Sequence, residues 1–149
     1  VAKEGMARVR EMFREACRSD GSGIDRLLAA GDAYVRFWRD NPDYRRLLID
    51  AKMSRPPASS GPQGLEFATI AEESNRMLVQ AAREGMADGT IRSDVSPEKF
   101  VFCASSMIEG ILVRTERYGG SVTSDRWRDE TLAYASRLWR DAVTARRQE

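Results

Sequence analysis

Apolar residues recur every three or four positions along almost the whole chain, which is the spacing of one face of an α-helix. No run of about four to eight β-branched residues with a period of two appears, so no β-strand is predicted. The pattern therefore predicts an all-α protein. Its six helices are expected at approximately residues 2–18, 24–39, 42–53, 65–88, 97–118 and 125–146.

Glycine, proline and short polar residues mark the ends of these helices. Gly89 can adopt the left-handed conformation that ends the fourth helix, Ser96 can cap the fifth, and Pro97 suits its first position. Asn41 and Pro42 are predicted to cap and begin the third helix in the same way. The fourth and fifth helices are therefore expected to meet at a tight corner.

Two segments are predicted to be loops. Residues 55–64 contain three prolines, two glycines and two serines, a composition that ends helices. A loop of this length is usually functional or disordered, so we expect this segment to be the most mobile part of the chain. Gly119 and Gly120 separate the last two helices, and Ser124 can cap the sixth.

The last two helices carry more apolar surface than the others. The fifth is apolar around most of its circumference, and the sixth has a wide apolar band, so both must be covered on more than one side. We expect them to pair with the same two helices of a second copy in a four-helix bundle, which gives a homodimer. The alternative is that the whole band is internal core of a monomer. The expected interface residues are Phe102, Ser105, Ile108, Glu109, Leu112, Trp127, Tyr134, Leu138 and Trp139.

Composition narrows the class of protein. The 149 residues, of which 42% are hydrophobic and 32% charged, suit one globular domain spanning 1–149. The apolar runs are too short to span a bilayer and the N-terminus does not resemble a secretion signal, so we expect a cytoplasmic protein with no membrane partner. The net charge of +1 comes from 24 basic and 23 acidic residues scattered along every helix, unlike the clustered basic face that binds nucleic acid.

The residue types needed for common catalytic sites are missing from the sequence. There is no histidine, and the two cysteines, Cys17 and Cys103, lie far apart, so we predict no metal site and no cofactor. Nucleophile pairs of the Ser–His or Cys–His kind are excluded, and no glycine-rich phosphate loop occurs. We therefore predict no catalytic residues and do not expect an enzyme. The remaining enzymatic alternative would use carboxylates alone, from Asp32, Glu72, Glu73 and Glu109.

Three segments stand out for their order and spacing. In residues 34–48 a helix ending in aromatic residues is followed by Asn-Pro-Asp-Tyr-Arg and a short apolar helix. Residues 82–92 read Ala-Arg-Glu-Gly-Met-Ala-Asp-Gly-Thr-Ile-Arg, and residues 108–111 read Ile-Glu-Gly-Ile at the centre of the next helix. Together they resemble the regulatory domain of tetracycline-repressor (TetR) family transcription factors, in which 87–111 would join the two longest helices. The resemblance covers nearly the whole chain.

The resemblance implies a six-helix effector-binding and dimerisation domain without the three-helix DNA-binding head that precedes it in family members. The first two helices do not suit a helix-turn-helix, because the second has too many buried-type positions for an exposed recognition helix. Val1 is not an initiator methionine, so we expect that a head was removed or not seen, although methionine removal before valine would give the same N-terminus. DNA would be contacted only through that head.

In the resembling family, a small effector enters a pocket in each regulatory domain and shifts the helix that carries the head, here residues 2–18. The spacing of the two heads on DNA then changes. The resemblance thus implies a transcriptional regulator, most simply a repressor, controlled by a largely apolar small molecule. The alternative is a helical protein-interaction module without a ligand or an internal cavity.

The pocket walls implied by the resemblance come from the second to fifth helices. The expected ligand-binding residues are Tyr34, Phe37, Trp38, Leu48, Phe67, Ile70, Ser74, Met77, Cys103 and Met107. The hydroxyls of Tyr34 and Ser74 and the indole of Trp38 are the expected polar contacts. Glu109 is either a ligand contact or a satisfied carboxylate in the subunit interface.

Overall fold

The computed structural model describes residues 2–53, 62–117 and 125–145. They form six α-helices, α1 (Ala2–Arg18), α2 (Gly23–Asp40), α3 (Pro42–Met53), α4 (Pro62–Ala87), α5 (Pro97–Arg117) and α6 (Asp125–Val143). Within these residues, extended backbone pairs at one point, an antiparallel bridge between Ile91 and Thr144. The predicted all-α fold is confirmed. In the described parts of the chain, no helix has both the length and the apolar character needed to cross a bilayer.

The core forms where the apolar stripes of the helices meet. α1, α2 and α4 pack against one another, while α5 lies against α4 and α6 lies against both α5 and α2. Trp38 of α2 is 2% exposed, and Val9 of α1, Leu112 of α5 and Leu132 of α6 are buried as fully. The apolar faces that the periodicity predicts are therefore buried in one core, which five of the helices share.

The corner between α4 and α5 has the predicted local chemistry. Gly89 has a φ of +78°, the left-handed conformation expected at the end of α4. Ser96 Oγ accepts a hydrogen bond from the Lys99 amide at 3.4 Å, and α5 begins at Pro97. These three predictions are confirmed.

Two helices begin earlier than predicted. α2 begins at Gly23 because Ser22 and Asp25 cap it reciprocally: Ser22 Oγ accepts from the Asp25 amide at 3.3 Å, and the Asp25 carboxylate accepts from the Ser22 amide at 3.1 Å. α4 begins at Pro62 rather than near residue 65, since proline suits a first helical position. Residues 55–61 of the predicted 55–64 loop lie outside the described residues. The predicted helix break and cap at 119–124 also lie outside them.

α3 begins at Pro42 with Asn41 at its cap position, as predicted, but the Asn41 side chain bonds to the preceding helix. Its Nδ2 donates to the carbonyl oxygen of Phe37 at 2.8 Å, so the side chain serves the last turn of α2. Asn41 is the single residue between the two helices, and its backbone carbonyl accepts from the Arg45 amide of α3 at 3.1 Å. One residue thus serves two helix ends, the first with its side chain and the second with its backbone.

A network of backbone contacts joins the α4–α5 corner to its neighbours. The Gly23 amide donates to Asp88 Oδ2 at 2.6 Å, and the Ile24 amide donates to Thr90 Oγ1 at 3.3 Å. On the other side, the amide of residue 92 donates to the carbonyl of 143 at 2.9 Å, and the amide of 145 donates to the carbonyl of 90 at 3.0 Å. We call residues 88–92, with Gly23, Ile24 and 143–145, the locked corner. Its hydrogen bonds join the start of α2 and the end of α6 to the turn that follows α4.

Candidate ligand cavity and exposed apolar face

A cavity of about 500 Å³ lies between α1, α2, α4, α5 and α6 and is partly open to solvent. Its walls are mainly apolar, and its volume falls in the range of small-molecule sites. α1 contributes Met6, Val9 and Phe13, which follow the three-and-four spacing of a single helix face. The described residues that line the cavity therefore come from α1, α2, α4, α5 and α6.

The main polar feature of the cavity is a contact between α2 and α5. The Tyr34 hydroxyl donates to Glu109 Oε1 at 3.3 Å, and both residues line the cavity. Burial, and then the nearby Glu109 carboxylate, raise the pKa of Tyr34 above its usual range, so the hydroxyl stays neutral and able to donate.

Aromatic packing fixes the position of Tyr34. Its ring lies 5.6 Å from that of Phe13 on α1 and 5.6 Å from that of Trp38, which it meets edge-on. Aromatic pairs at such separations and angles are favourable. The phenol is therefore held from two sides while its hydroxyl reaches across to α5.

Of the ten predicted ligand-binding residues, the structure places Tyr34 and Ser74 at the cavity. The Ser74 hydroxyl is buried and donates to the Ile70 carbonyl of its own helix at 2.8 Å. The other described members of the set do not line the cavity. Phe37, Trp38 and Ile70 are buried in the core, Met77 is partly buried, and Cys103 and Met107 are exposed on α5. The side chains of Leu48 and Phe67 lie outside the described residues.

The sequence analysis missed the cavity walls supplied by α1 and α6. The sequence shows the helical spacing of Met6, Val9 and Phe13. This spacing indicates that one face of α1 is buried, but it does not indicate whether that face packs against other helices or lines a cavity. Trp139 of α6 was assigned to the dimer interface, whereas it is half-buried and lines the cavity. Ser136, one turn earlier, lines it as well.

Five large apolar side chains of α5 and α6 are exposed. Phe102 is 73% exposed and Tyr134 is 56% exposed, and Trp127, Leu138 and Met107 are exposed as well. We call these five residues the apolar face. Large aromatic side chains in water are the exception in a folded domain, and a group of them marks an interaction surface.

The predicted interface residues divide into three groups. Phe102, Trp127, Tyr134 and Leu138 belong to the apolar face. Ser105, Glu109 and Trp139 are half-buried and line the cavity, as Phe102 also does. Ile108 and Leu112, at 4% and 2% exposed, are buried in the core of their own subunit and take no part in the apolar face, and Ile108 also lines the cavity. The cavity and the apolar face therefore share Phe102.

The carboxylates considered for an enzymatic site do not gather at the cavity. Glu109 lines it, while Asp32 and Glu72 are exposed and do not. Glu73 pairs with Arg10 at 2.9 Å. In the described residues, no group of three or more histidine, cysteine, aspartate or glutamate side chains is placed to hold a metal ion. What the cavity offers chemically is an apolar volume with one carboxylate–phenol contact and several hydroxyls.

No protein-family model matches the chain, and no curated protein matches it. Its fold is similar to a solved structure described as a protein with unknown function from Rhodococcus sp. RHA1, with a TM-score of 0.69 and 20% sequence identity. The match covers 96% of this chain and 70% of that one. At this identity the likeness supports the helical architecture alone.

Proposed function

We propose that the chain is the effector-binding and dimerisation domain of a TetR-type transcriptional regulator, most simply a repressor. The observation that carries the proposal is the cavity of about 500 Å³ with apolar walls. Two further features support it, namely the contribution of α1 to the cavity and the apolar face beside it. DNA contacts would belong to a head outside this chain, since the basic residues of the chain form no cluster in the sequence.

α1 is the element that would transmit ligand binding. Met6, Val9 and Phe13 line the cavity, so a ligand seated there contacts the helix that leads to the head. A shift of α1 against α2 and α4 would change the spacing of two heads in a dimer, which must match half-sites about 34–36 Å apart. Coupling between ligand and DNA sites is typically worth about 1–3 kcal/mol.

The apolar face is the proposed dimer surface. α5 and α6 pack side by side, and the same two helices of a second copy would complete a four-helix bundle around a two-fold axis. Burial of Phe102 and Tyr134 would remove the two most exposed aromatic rings from water. Because Phe102 also lines the cavity, the second copy would lie close to the ligand.

Thermal unfolding with a panel of lipophilic compounds tests the ligand part of the proposal. A ligand at about a hundred times its dissociation constant adds about 2.7 kcal/mol to the free energy of unfolding, which shifts the melting temperature measurably. A shift with at least one compound is expected. No shift with any compound would instead favour a protein-interaction module that uses the apolar face without a ligand.

Sedimentation equilibrium tests the dimer. At micromolar concentration we expect a species of about twice the 16.8 kDa chain mass. A single 16.8 kDa species at the same concentration would contradict the dimer, although it would leave the ligand site in place.

A further inference from the structure

The cavity opens to solvent between α4 and α5. Among the described residues that line it, four are exposed, and all four belong to these two helices: Asn75 of α4, and Glu98, Phe102 and Ser106 of α5. The three residues of α5 are four positions apart, so they follow one side of that helix. We call these four residues the mouth of the cavity.

An ion pair joins the two helices at one end of the mouth. Arg83 of α4 pairs with Glu98 of α5 on the side of the locked corner. Asn75 precedes Arg83 by eight residues, and Ser106 follows Glu98 by eight, so each lies about two turns, or about 12 Å, farther from the corner. Asn75 and Ser106 therefore border the same part of the mouth, one on each helix.

The two buried polar residues of the described lining already have partners within the fold. Ser74 donates to a backbone carbonyl one turn earlier in α4, and the Tyr34 hydroxyl donates to Glu109. At the mouth, the side chains of Asn75 and Ser106 make no hydrogen bond or ion pair with any described residue. Their amide and hydroxyl groups can therefore exchange hydrogen bonds with water for hydrogen bonds with a ligand.

The interior of the cavity offers apolar contacts. The other buried residues of the described lining are Val9, Phe13, Leu27, Leu78, Val101 and Ile108. A polar group placed among them would give up its hydrogen bonds to water without an equal replacement, whereas an alkyl chain or a ring would gain from leaving water. The cavity is therefore apolar inside and hydrogen-bonding at its mouth.

The charges around the mouth do not favour an ionic ligand. The described lining contains no lysine and no arginine, and the nearby Arg83 is already paired with Glu98. A carboxylate would thus find no free cation, and an ammonium group would have to compete with Arg83. Glu109, farther inside, already takes part in contacts within the fold. The uncharged groups of Asn75 and Ser106 remain as partners for a ligand.

We propose that the ligand is an uncharged amphiphile whose apolar part lies inside the cavity and whose polar end lies at the mouth, where Asn75 and Ser106 hydrogen-bond to it. The inference deepens the proposed function and rests on it, because it takes the cavity to be a ligand site. It needs neither the DNA-binding head nor the dimer.

Nonan-1-ol and nonyl β-D-glucopyranoside test the direction in which the ligand lies. They share one alkyl chain, and the glucoside adds a large uncharged group at the polar end. Each is titrated by isothermal calorimetry below the concentration at which it forms micelles, and the glucoside is titrated again in the presence of nonan-1-ol. We expect competition for one site per chain and dissociation constants within about threefold of each other, since the sugar would extend from the mouth into solvent. Nonanoate and nonylamine, which carry a charged end, should each bind more weakly than nonan-1-ol.

Asn75→Ala and Ser106→Ala test the two contacts at the mouth. Each substitution removes one neutral hydrogen bond, so we expect nonan-1-ol to bind about threefold to tenfold more weakly in each variant. Gln80→Ala is the matched control, because Gln80 is an exposed amide of α4 that does not line the cavity. Its dissociation constant for nonan-1-ol should equal that of the unaltered protein.

The probes and the variants fail in different ways. If nonan-1-ol binds but the glucoside neither binds nor competes, the polar end does not lie at the mouth, and the inference is wrong while the ligand cavity stands. Nonanoate or nonylamine binding as tightly as nonan-1-ol would contradict the uncharged class. Unchanged binding in both Asn75→Ala and Ser106→Ala would contradict the role of these residues. If no probe binds and the wider panel gives no thermal shift, the proposed function fails as well.

Discussion

Gly23 and Gly31, both on α2, differ in how tightly their surroundings are packed. A Cβ at Gly23 would overlap the backbone nitrogen of Gly85 and lie 2.7 Å from the carbonyl carbon of Glu84. A Cβ at Gly31, about two turns further on, would meet no atom within 4 Å, because Gly31 lines the cavity. The locked corner leaves no room for a methyl group, whereas the cavity leaves room for a ligand. The comparison indicates that backbone-to-backbone contact between α2 and α4 fixes the fold at Gly23, whereas packing around Gly31 is incomplete and leaves the cavity open.

Replacing Gly23 with alanine should give the largest effect. The added methyl group meets backbone, which cannot rotate away, so α2 must move from α4 and weaken the Gly23–Asp88 hydrogen bond. We expect a loss of about 3 kcal/mol or more in the free energy of unfolding, measured by urea denaturation. A loss below about 1 kcal/mol would mean that the corner is less tightly packed than described.

Replacing Phe102 with glutamate should break the dimer while leaving the subunit folded. The ring is 73% exposed in the single chain, so its removal costs little within the fold. A charge in an interface core is expected to weaken association by about 2 kcal/mol, or roughly thirtyfold in the dissociation constant. Sedimentation equilibrium measures this. Arg36→Glu, on the exposed side of α2, is the control that should leave the dimer intact.

Gly31→Ala should stabilise the protein slightly. Alanine favours a helix over glycine by about 0.5–1 kcal/mol, and the space around Gly31 accepts the methyl group without a clash. The same substitution at two sites of one helix should thus have effects of opposite sign. A destabilisation by Gly31→Ala in urea would show that the wall of the cavity is packed after all.

The smallest effect concerns acid stability at the locked corner. Hydrogen bonds from the Thr90 side chain, and then from the Gly23 amide, lower the pKa of Asp88. A lowered pKa in the folded state means that this carboxylate contributes stability above the ordinary aspartate value of about 3.9, and that the contribution is lost as pH falls through the lower folded value. The difference in stability between wild type and Asp88→Asn should therefore shrink in this acidic window. Urea midpoints measured from neutral to acidic pH would test this, and a difference that grew on acidification would contradict the sign.

The sequence predicts the helices better than the site because helix ends depend on local chemistry. Gly89, Ser96 and Pro97 act within one turn, and their signals are legible without a structure. The Asn41–Pro42 start of α3 was predicted in the same way, but the sequence does not show that the Asn41 side chain bonds to α2, because two helix ends share that residue and local rules do not decide which end takes the side chain.

The cavity could be predicted only in part, because periodicity identifies a buried stripe without saying what it meets. On α5, which is apolar nearly all round, the pattern carries little information about rotation. Cys103 and Met107 were accordingly assigned to the pocket, and the buried Ile108 to the interface. Tyr34 was placed correctly at the cavity because it lies on the well-defined face of α2.

The most direct test of the account is whether a ligand occupies the space beside Gly31. Gly31→Leu extends a side chain from a cavity-lining position that has no neighbour within 4 Å, and Gly31→Ala controls for helix propensity. We predict that calorimetric titration of nonan-1-ol, a neutral and mainly apolar probe, detects one site per chain in the wild type and in Gly31→Ala, and none in an equally stable Gly31→Leu. Equal binding by all three proteins would contradict the account, because the ligand would then lie elsewhere.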